Sequence, residues 1–436
     1  MSIRIASSAY NFESDVSSYC RSFPAEFAKA KGTMLYDVQG NRYLDFLAGC
    51  GSLNYGHNEP RLLKKLVDYI ESNGVALGLD MHTEAKTQFI DAFRSGILDP
   101  RGFDYKLQFT GPTGANAIEA AVKLARKITG RTNVISFTNG FHGCSLGALS
   151  LTGSGYHRNS SVPLLGGVTH MPYDGYFGPG IDTCTLIETL LSDPSSGIDA
   201  PAAIVLEAVQ GEGGLNVASG PWLRGIAEIA RRHGALLIID DIQAGCGRSG
   251  NFFSFEGTGV VPDMVVLAKA VSGFGLPMAL LLLKPEIDRW QPGEHNGTFR
   301  GNCHAFVTAT AAIEHFWMDT AFANTLKTKA AMLRDGLSNI ADRHGFRVKG
   351  TGLMQGIDMR AGEPCLAMRK ACFDANLIVE ACGPHDEVLK LMPPLTVSEQ
   401  EIGAALDIVG EKMKALSAAN AMSSDHPGYD VTKAVA

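Results

Sequence analysis

The sequence of 436 residues lacks several features that would place it in a special class of protein. Its longest apolar run, at positions 278–283, is far shorter than the roughly 20 residues that span a bilayer. Positions 1–8 lack the apolar stretch of a signal peptide. The nine cysteines include no Cys-x-x-Cys pair, which favours reduced thiols. We therefore expect a cytoplasmic protein that does not enter a membrane.

Charge and motif spacing exclude further classes of function. The chain carries 38 Lys and Arg against 45 Asp and Glu, a formal net charge of −7, without a long run of one sign. Proteins that bind nucleic acids or anionic membranes usually present a basic patch, so neither partner is expected. The twelve histidines show no His-Glu-x-x-His or other paired-ligand spacing, so metal catalysis has no support.

What is present is the pattern of an α/β protein. Short apolar runs rich in β-branched residues alternate with helical patterns, which predicts a mostly parallel sheet covered on both faces. Helices are predicted between the strands at 115–129 and 221–233. The seven predicted strands are 106–109, 133–137, 167–171, 203–206, 235–239, 264–268 and 278–283.

The length of the chain exceeds one ordinary core and predicts either two domains or one large domain with an appendage. After position 301 the pattern becomes mainly helical, and an extended stretch is predicted around 352–359. The helices predicted there are 302–317, 321–344, 364–376 and 398–416. We predict that residues 1–55 and 316–416 form a smaller α+β domain and that 56–315 form the large domain. The last residues, 417–436, are mostly small or polar, and we expect them to form a frayed tail.

Two ionisable residues stand where neighbouring strands of the predicted sheet end. Asp240 follows the strand at 235–239, and Lys269 follows the strand at 264–268. Because the carboxyl ends of parallel strands form the ligand-binding edge of an open sheet, we expect both side chains in one crevice. Taken alone, a surface lysine and a helix-capping aspartate would be the commoner interpretation. Together they suggest a nucleophilic amine beside a carboxylate.

Two further motifs favour one cofactor. The turn at 110–115 precedes a predicted helix. The first N–H groups and the positive dipole end of that helix can hold a phosphate. Many glycine-rich turns, however, only change the direction of the chain. Phe141 could cover a flat ring, and His142 follows it, although core packing and a structural histidine are the ordinary alternatives. A phosphate site, a lysine and a carboxylate describe a site for pyridoxal 5′-phosphate (PLP). There the lysine forms a Schiff base and the aspartate keeps the pyridine nitrogen protonated.

With these motifs the chain resembles the class III (ω) aminotransferases over nearly its whole length, from Gly32 to Leu395. The resemblance implies PLP fold type I, the aspartate-aminotransferase-like fold, with a large domain of seven mostly parallel strands and a smaller α+β domain. It implies Lys269 as the Schiff-base lysine and Asp240 as the partner of the pyridine nitrogen. It also implies a homodimer or higher homo-oligomer, because Thr298 would reach the phosphate of a neighbouring subunit. The other predicted cofactor-binding residues are Thr113, Gly114, Ala115, Phe141, His142, Glu207, Ile242 and Gln243.

The resemblance extends to substrate-side residues. The segment at 207–212 resembles the part of the family that carries a substrate-side carboxylate, here Glu212. Lys390 stands where many members carry an arginine, and a lysine offers a point charge rather than a bidentate fork. Arg21 and Arg300 are further candidates for a substrate carboxylate, although a surface salt bridge is the commoner role of an arginine. The residues expected to line the substrate pocket are Cys50, Gly51, Ser52 and Tyr55.

Within the class, several stretches resemble members that act on L-2,4-diaminobutyrate and 2-oxoglutarate in ectoine biosynthesis: 21–24, 53–57, 109–114, 293–301 and 383–394. The resemblance implies ping-pong transamination of the ω-amino group, giving L-aspartate 4-semialdehyde and L-glutamate. Another class III ω-aminotransferase, acting on a diamine, an ornithine-like compound, γ-aminobutyrate or siderophore-pathway diaminobutyrate, is the first alternative. A PLP-dependent mutase, racemase or decarboxylase and a non-enzymatic metabolite-binding protein are the others.

Overall fold

The computed structural model describes residues 12–159 and 165–424, so the ends at 1–11 and 425–436 lie outside the described residues. Shorter helical turns include 19–22, 48–51, 146–151, 155–158, 269–272 and 298–301. The helices of ten or more residues are α1 (Pro60–Glu71), α2 (Glu84–Phe93), α3 (Gly114–Thr129), α4 (Thr183–Ser192), α5 (Gly220–His233), α6 (Cys303–Phe316), α7 (Ala321–Asp342), α8 (Gly362–Asp374) and α9 (Glu399–Ser424). The strands are β1 (Phe27–Lys31), β2 (Met34–Asp37), β3 (Arg42–Asp45), β4 (Lys106–Phe109), β5 (Val134–Phe137), β6 (Val168–Met171), β7 (Ala203–Leu206), β8 (Val209–Gln210), β9 (Asn216–Val217), β10 (Leu236–Asp240), β11 (Met264–Leu267), β12 (Leu280–Leu283), β13 (Arg347–Thr351), β14 (Met354–Asp358), β15 (Leu377–Ile378), β16 (Glu380–Cys382) and β17 (Val388–Leu391).

The large sheet has seven strands in the order β4-β12-β11-β10-β7-β5-β6. Only β12 runs against the others, because it pairs antiparallel with both β11 and β4 while the remaining pairs are parallel. The predicted mostly parallel sheet is therefore confirmed, and the bounds of its seven strands differ from the predicted ones by at most two residues.

Alternation of side chains along the central strands separates two apolar layers. In β7, Ile204 and Leu206 belong to one buried cluster, whereas Ala203 and Val205 belong to another. The second cluster contains the apolar face of α3, including Leu124. Because successive side chains of a strand point to opposite faces, helices cover both sides of this sheet, and continuous apolar runs are the expected strand pattern. None of the helices in the described part of the chain combines the length and apolar character needed to cross a membrane.

The remaining strands bring the two ends of the chain together. One sheet has the order β1-β2-β3-β15, in which β15 from the carboxyl-terminal part pairs parallel with β3. A second sheet has the order β13-β14-β17-β16. These pairings support a smaller domain built from both ends, although the domain bounds at 55 and 315 stay predictions. Helix α9 continues to Ser424, so the first part of the expected tail is helical, and 425–436 lie outside the described residues.

The sheet positions the polar residues that the sequence singled out. Asp240 is the last residue of β10 and pairs in parallel register with Val266 of β11, the strand that precedes Lys269. Helix α3 begins soon after β4, and its N-cap Thr113 accepts a hydrogen bond from the Asn116 N–H at 3.3 Å. The carboxyl ends of β4, β10 and β11 therefore converge, as the Asp240 and Lys269 prediction requires.

A buried arginine joins three chain segments. The Arg248 side chain is fully buried, and its Nη1 donates to the carbonyl of Leu353 at 3.0 Å and to the carbonyl of Pro393. Its Nη2 donates to Oδ1 of Asn54 at 2.5 Å. Each acceptor comes from a different segment, so one guanidinium satisfies three buried oxygens.

We expect Arg248→Ala to lower the free energy of unfolding by about 3 kcal/mol or more, because it leaves buried acceptors without a donor and creates a cavity. The measurement is urea unfolding followed by circular dichroism. Arg231→Ala is the matched control, since Arg231 is 73% exposed and pairs with Glu228 at the surface. The control should change the free energy of unfolding by about 0.5 kcal/mol or less. Equal effects of the two substitutions would contradict this role of Arg248.

Candidate active site

A cavity of about 410 Å³ opens at the carboxyl edge of the large sheet. Its walls come from the segments that follow β4, β5, β7, β10 and β11. The residues on the cavity wall that the sequence predicted are Thr113, Gly114, Ala115, Phe141, His142, Glu207, Glu212, Asp240, Ile242, Gln243, Lys269 and Ser52. Most of the predicted site is therefore assembled around one cavity.

Lys269 stands at a strained backbone position. Its φ is +53°, in the left-handed region that non-glycine residues rarely occupy. The short helix that it begins is tied to α6, because the Thr308 hydroxyl donates to the Ser272 carbonyl at 2.7 Å. At Gly273 a Cβ would lie 2.7 Å from the Thr308 carbonyl oxygen, so only glycine fits this close approach. The turn therefore holds the lysine in a defined place on the cavity wall.

Asp240 and His142 form a buried pair. Nδ1 of His142 lies 2.7 Å from Oδ2 of Asp240, and both side chains are almost fully buried. The other carboxylate oxygen of Asp240 accepts the Ile242 N–H at 3.1 Å. Burial acts to lower the pKa of His142, but its hydrogen bond to Asp240 and the charge of Asp240 outweigh burial and raise that pKa. The imidazole thus fixes the carboxylate that faces the cavity.

Glu207 joins two loops of the cavity wall. Its carboxylate accepts the Phe141 N–H at 3.0 Å and the Gly211 N–H at 3.3 Å. Burial raises the pKa of Glu207 to about 7, an effect that His142 opposes and Asp240 increases. Glu207 consequently holds the loop that carries Phe141 and His142.

The amino terminus of α3 forms a narrow cradle. The first N–H groups of a helix lack intrahelical acceptors, so those at Gly114 and Ala115 can bind an anion. A Cβ at Gly114 would lie 2.6 Å from Cδ1 of Ile242, so a larger residue would require the Ile242 side chain to move. The cradle therefore combines anion-binding N–H groups with an apolar floor.

Glu212 and Lys390 form an ion pair at the edge of the cavity. Nζ of Lys390 lies 2.9 Å from Oε1 of Glu212, and Nε2 of Gln243 donates to the same oxygen at 2.9 Å. Burial alone would raise the pKa of Glu212, but Lys390 and Lys269 lower it to about 2. Burial acts to lower the pKa of Lys390, but the negative charge of Glu212, with that of Glu380, raises it well above the ordinary lysine value. Both members of the pair are therefore charged.

A family model described as aminotransferase class-III matches residues 17–413. The chain belongs to the class III aminotransferases. A diaminobutyrate–2-oxoglutarate transaminase from Vibrio cholerae is 55% identical over 91% of this chain and 97% of the relative. One from Bordetella parapertussis is 50% identical over 97% of each chain. The solved ornithine aminotransferase of Toxoplasma gondii, reported with PLP partially occupying its active site, is 25% identical, has a TM-score of 0.79 and matches 95% of this chain and 94% of that one.

Membership confirms the expected enzyme class, the aminotransferase fold and the dependence on PLP. The residues on the cavity wall fit this cofactor. The cradle at Gly114 suits a phosphate, and the buried Asp240 offers a carboxylate to a ring nitrogen. Lys269 supplies an amine on the same wall. Within the described residues, no group of three or more His, Cys, Asp or Glu is arranged to hold a metal ion.

Several predicted residues of this class III aminotransferase are not part of the cavity wall: Tyr55, Arg21, Arg300, Thr298, Lys390, Cys50 and Gly51. Tyr55 is buried in an aromatic cluster, where its hydroxyl accepts from Nε1 of Trp317 at 2.7 Å, so it does not line the substrate pocket as expected. Arg21 pairs with Asp15 at 2.9 Å on the surface. Thr298 lies on an exposed turn. Tyr55 is displaced because its ring stacks on Phe316, at 4.5 Å between ring centroids.

The sequence interpretation missed Glu380. Its Oε2 lies 2.9 Å from Nζ of Lys390, and its Oε1 accepts the Tyr19 hydroxyl at 2.6 Å. The signal was weak but present: one charged residue stands in each of two short apolar strands joined by a Gly-Pro turn at 383–384. In the antiparallel register of β16 and β17 these two residues, Glu380 and Lys390, are direct partners.

We expect His142→Leu to weaken PLP binding by about 10- to 100-fold, because Asp240 loses a charge-assisted hydrogen bond. His142→Asn is the matched control, since its amide can donate from nearly the same position and should lose clearly less affinity. The measurement is titration of the apoenzyme with PLP, followed by absorbance. Equal affinities of the two variants would contradict a role for this hydrogen bond.

Proposed function

We propose that this class III aminotransferase transfers the ω-amino group of L-2,4-diaminobutyrate to 2-oxoglutarate. The products are L-aspartate 4-semialdehyde and L-glutamate, and the reaction is reversible and ping-pong. The observation that carries the proposal is the Glu212–Lys390 ion pair at the edge of the Lys269 cavity. The shared name of the Vibrio and Bordetella relatives supports the same reaction.

One site must accept two substrates of opposite charge. Diaminobutyrate brings ammonium groups, whereas 2-oxoglutarate is a dianion. Glu212 offers a carboxylate to the first and Lys390 offers an ammonium to the second, once the two separate from each other. We assign this alternation to the side chain of Glu212, because Glu212 remains about one-third exposed while Lys390 is fully buried.

When bound, PLP supplies an aldehyde that condenses with primary amines and a ring that accepts electrons. We assign Nζ of Lys269 as the amine that would take up a substrate proton and return it. Asp240, oriented by His142, would hold the proton on the ring nitrogen. The N–H groups of Gly114 and Ala115, with Thr113, would bind the phosphate.

Four further residues shape the cofactor pocket in this proposal. Phe141 and Ile242 both line the cavity and would pack against the two faces of the ring. Glu207 keeps the Phe141 loop in place through its hydrogen bond to the Phe141 N–H. Gln243 would lie near the ring hydroxyl, and its Oε1 is buried without a hydrogen-bond partner among the described residues.

The proposal includes an assembly and a setting. Thr298 would bind the phosphate of a neighbouring subunit, and its exposed position is compatible with that role, so we propose a homodimer. Arg21 stays a proposed ligand for a substrate carboxylate. The absence of Cys-x-x-Cys pairs favours a cytoplasmic location, and the resembling stretches favour the ectoine pathway.

The reaction is tested with diaminobutyrate labelled with ¹⁵N at the ω-amino group. We expect the label in glutamate, because only transfer of that amine moves it to 2-oxoglutarate. Lys269→Ala should lower kcat by about a millionfold, since it removes the group that moves the proton. The matched control is Lys284→Ala, because Lys284 pairs with Asp263 at 2.8 Å away from the cavity. Unlabelled glutamate, or faster turnover of ornithine, γ-aminobutyrate or 1,4-diaminobutane, would contradict the proposed donor.

We expect Glu212→Gln to lower kcat/KM for diaminobutyrate by about tenfold or more, because the donor's ammonium loses its carboxylate partner. The reaction with 2-oxoglutarate should slow less, since Lys390 keeps its charge. The two half-reactions are measured separately by stopped-flow absorbance of the bound coenzyme. Glu228→Gln, on the surface of α5, is the control. Unchanged rates and unchanged substrate preference in Glu212→Gln would rule out the alternation.

A further inference from the structure

Lys390 has two carboxylate partners. Its Nζ lies 2.9 Å from Oε1 of Glu212 and 2.9 Å from Oε2 of Glu380. The ammonium is fully buried, and Glu380 is 8% exposed. The group therefore carries one net negative charge, whereas a simple Glu212–Lys390 pair would be neutral.

The two carboxylates differ in how firmly they are held. Glu380 is the cross-strand partner of Lys390 in the β16–β17 ladder, so the backbone fixes the distance between them. Its second oxygen accepts the hydroxyl of Tyr19 at 2.6 Å. Glu212 instead lies in the loop after β8, and one of its oxygens accepts from both Lys390 and Gln243. Glu380 is thus the fixed partner of the lysine, and Glu212 is the partner that can leave.

The contacts around Lys390 close into a ring at the cavity edge. The Tyr19 hydroxyl that binds Glu380 also lies 2.7 Å from Sγ of Cys50. The Cys50 carbonyl accepts from Nε2 of Gln243 at 3.2 Å, and the same amide nitrogen donates to Glu212. This ring, formed by Tyr19, Cys50, Gln243, Glu212, Lys390 and Glu380, links both carboxylates to the wall of the cavity. Because Tyr19 anchors Glu380 from the other side, departure of Glu212 leaves the Glu380–Lys390 contact intact.

We infer that Glu380 is a positioning residue that sets the balance between the cationic donor and the anionic acceptor. When Glu212 turns away, Glu380 still neutralises Lys390, so the lysine attracts an acceptor carboxylate less strongly than an unpaired lysine would. The same fixed negative charge favours an ammonium group in the pocket. This inference rests on the proposed use of Glu212 and Lys390, and it assigns donor preference to a residue that touches neither substrate.

The test compares Glu380→Gln with Glu380→Asp in the PLP-loaded enzyme. Glutarate, a non-reactive dicarboxylate, is the probe, and its Kd is measured by isothermal titration calorimetry. We expect Glu380→Gln to lower the glutarate Kd by about tenfold, because Lys390 loses a charged partner. KM for diaminobutyrate should rise by about the same factor, while kcat changes by less than about threefold. Glu380→Asp, which keeps the charge, should stay within about threefold of the parent enzyme.

Glu363→Gln is the matched control, because it makes the same Glu-to-Gln substitution at an exposed residue at the start of α8. Equal glutarate Kd values for Glu380→Gln and Glu363→Gln would overturn the inference. So would a parallel fall of kcat with both substrates, because that pattern indicates a purely structural role. Glu380→Met is a second neutral variant, and failure of both neutral variants to fold would also overturn the inference.

The outcomes separate this inference from the proposed function. An enzyme that rejects diaminobutyrate but binds glutarate more tightly after Glu380→Gln would disprove the donor and retain the role of Glu380. An enzyme that uses diaminobutyrate, but whose glutarate Kd is unchanged by Glu380→Gln, would support the proposed donor and disprove the role of Glu380.

Discussion

The parallel pairing of β10 with β7 and β11 is the constraint on which the site depends. It places the end of β10, with Asp240, beside the end of the strand that leads to Lys269. The same edge receives the loop after β5, which carries His142. Each of these groups follows a strand that is buried on both faces, so the sheet fixes their relative positions.

Burial gives the charges at this edge their effect. An isolated carboxylate or ammonium is costly to desolvate, and several charged groups near the cavity have partners. His142 partners Asp240, and Glu212 and Glu380 partner Lys390. These contacts hold the side chains in place, so a cofactor or substrate that enters the cavity meets groups that are already oriented.

The lysine at position 390 binds carboxylates with a different geometry from an arginine. An arginine would present a planar fork that suits one carboxylate in a bidentate geometry, whereas a lysine can contact several oxygens from different directions. Here it contacts two protein carboxylates at once. The pocket therefore has a movable negative group and a fixed one around a single cation. That arrangement suits alternation between a cationic amine and a dianion.

Local patterns were enough to predict the seven strands of the large sheet, the start of α3 and the positions of Asp240 and Lys269. These features depend on side-chain periodicity and on where strands end, which are properties of neighbouring residues in the chain. The pairing of His142 with Asp240, the burial of Tyr55 against Phe316 and the ring through Tyr19 and Glu380 depended on the assembled fold. Tyr19 and Glu380 are 361 positions apart, and their contact requires that β3 pair with β15 and β16 with β17. Spacing along a chain carries no information about such contacts, because sheet register and packing between distant segments determine which charges are buried together.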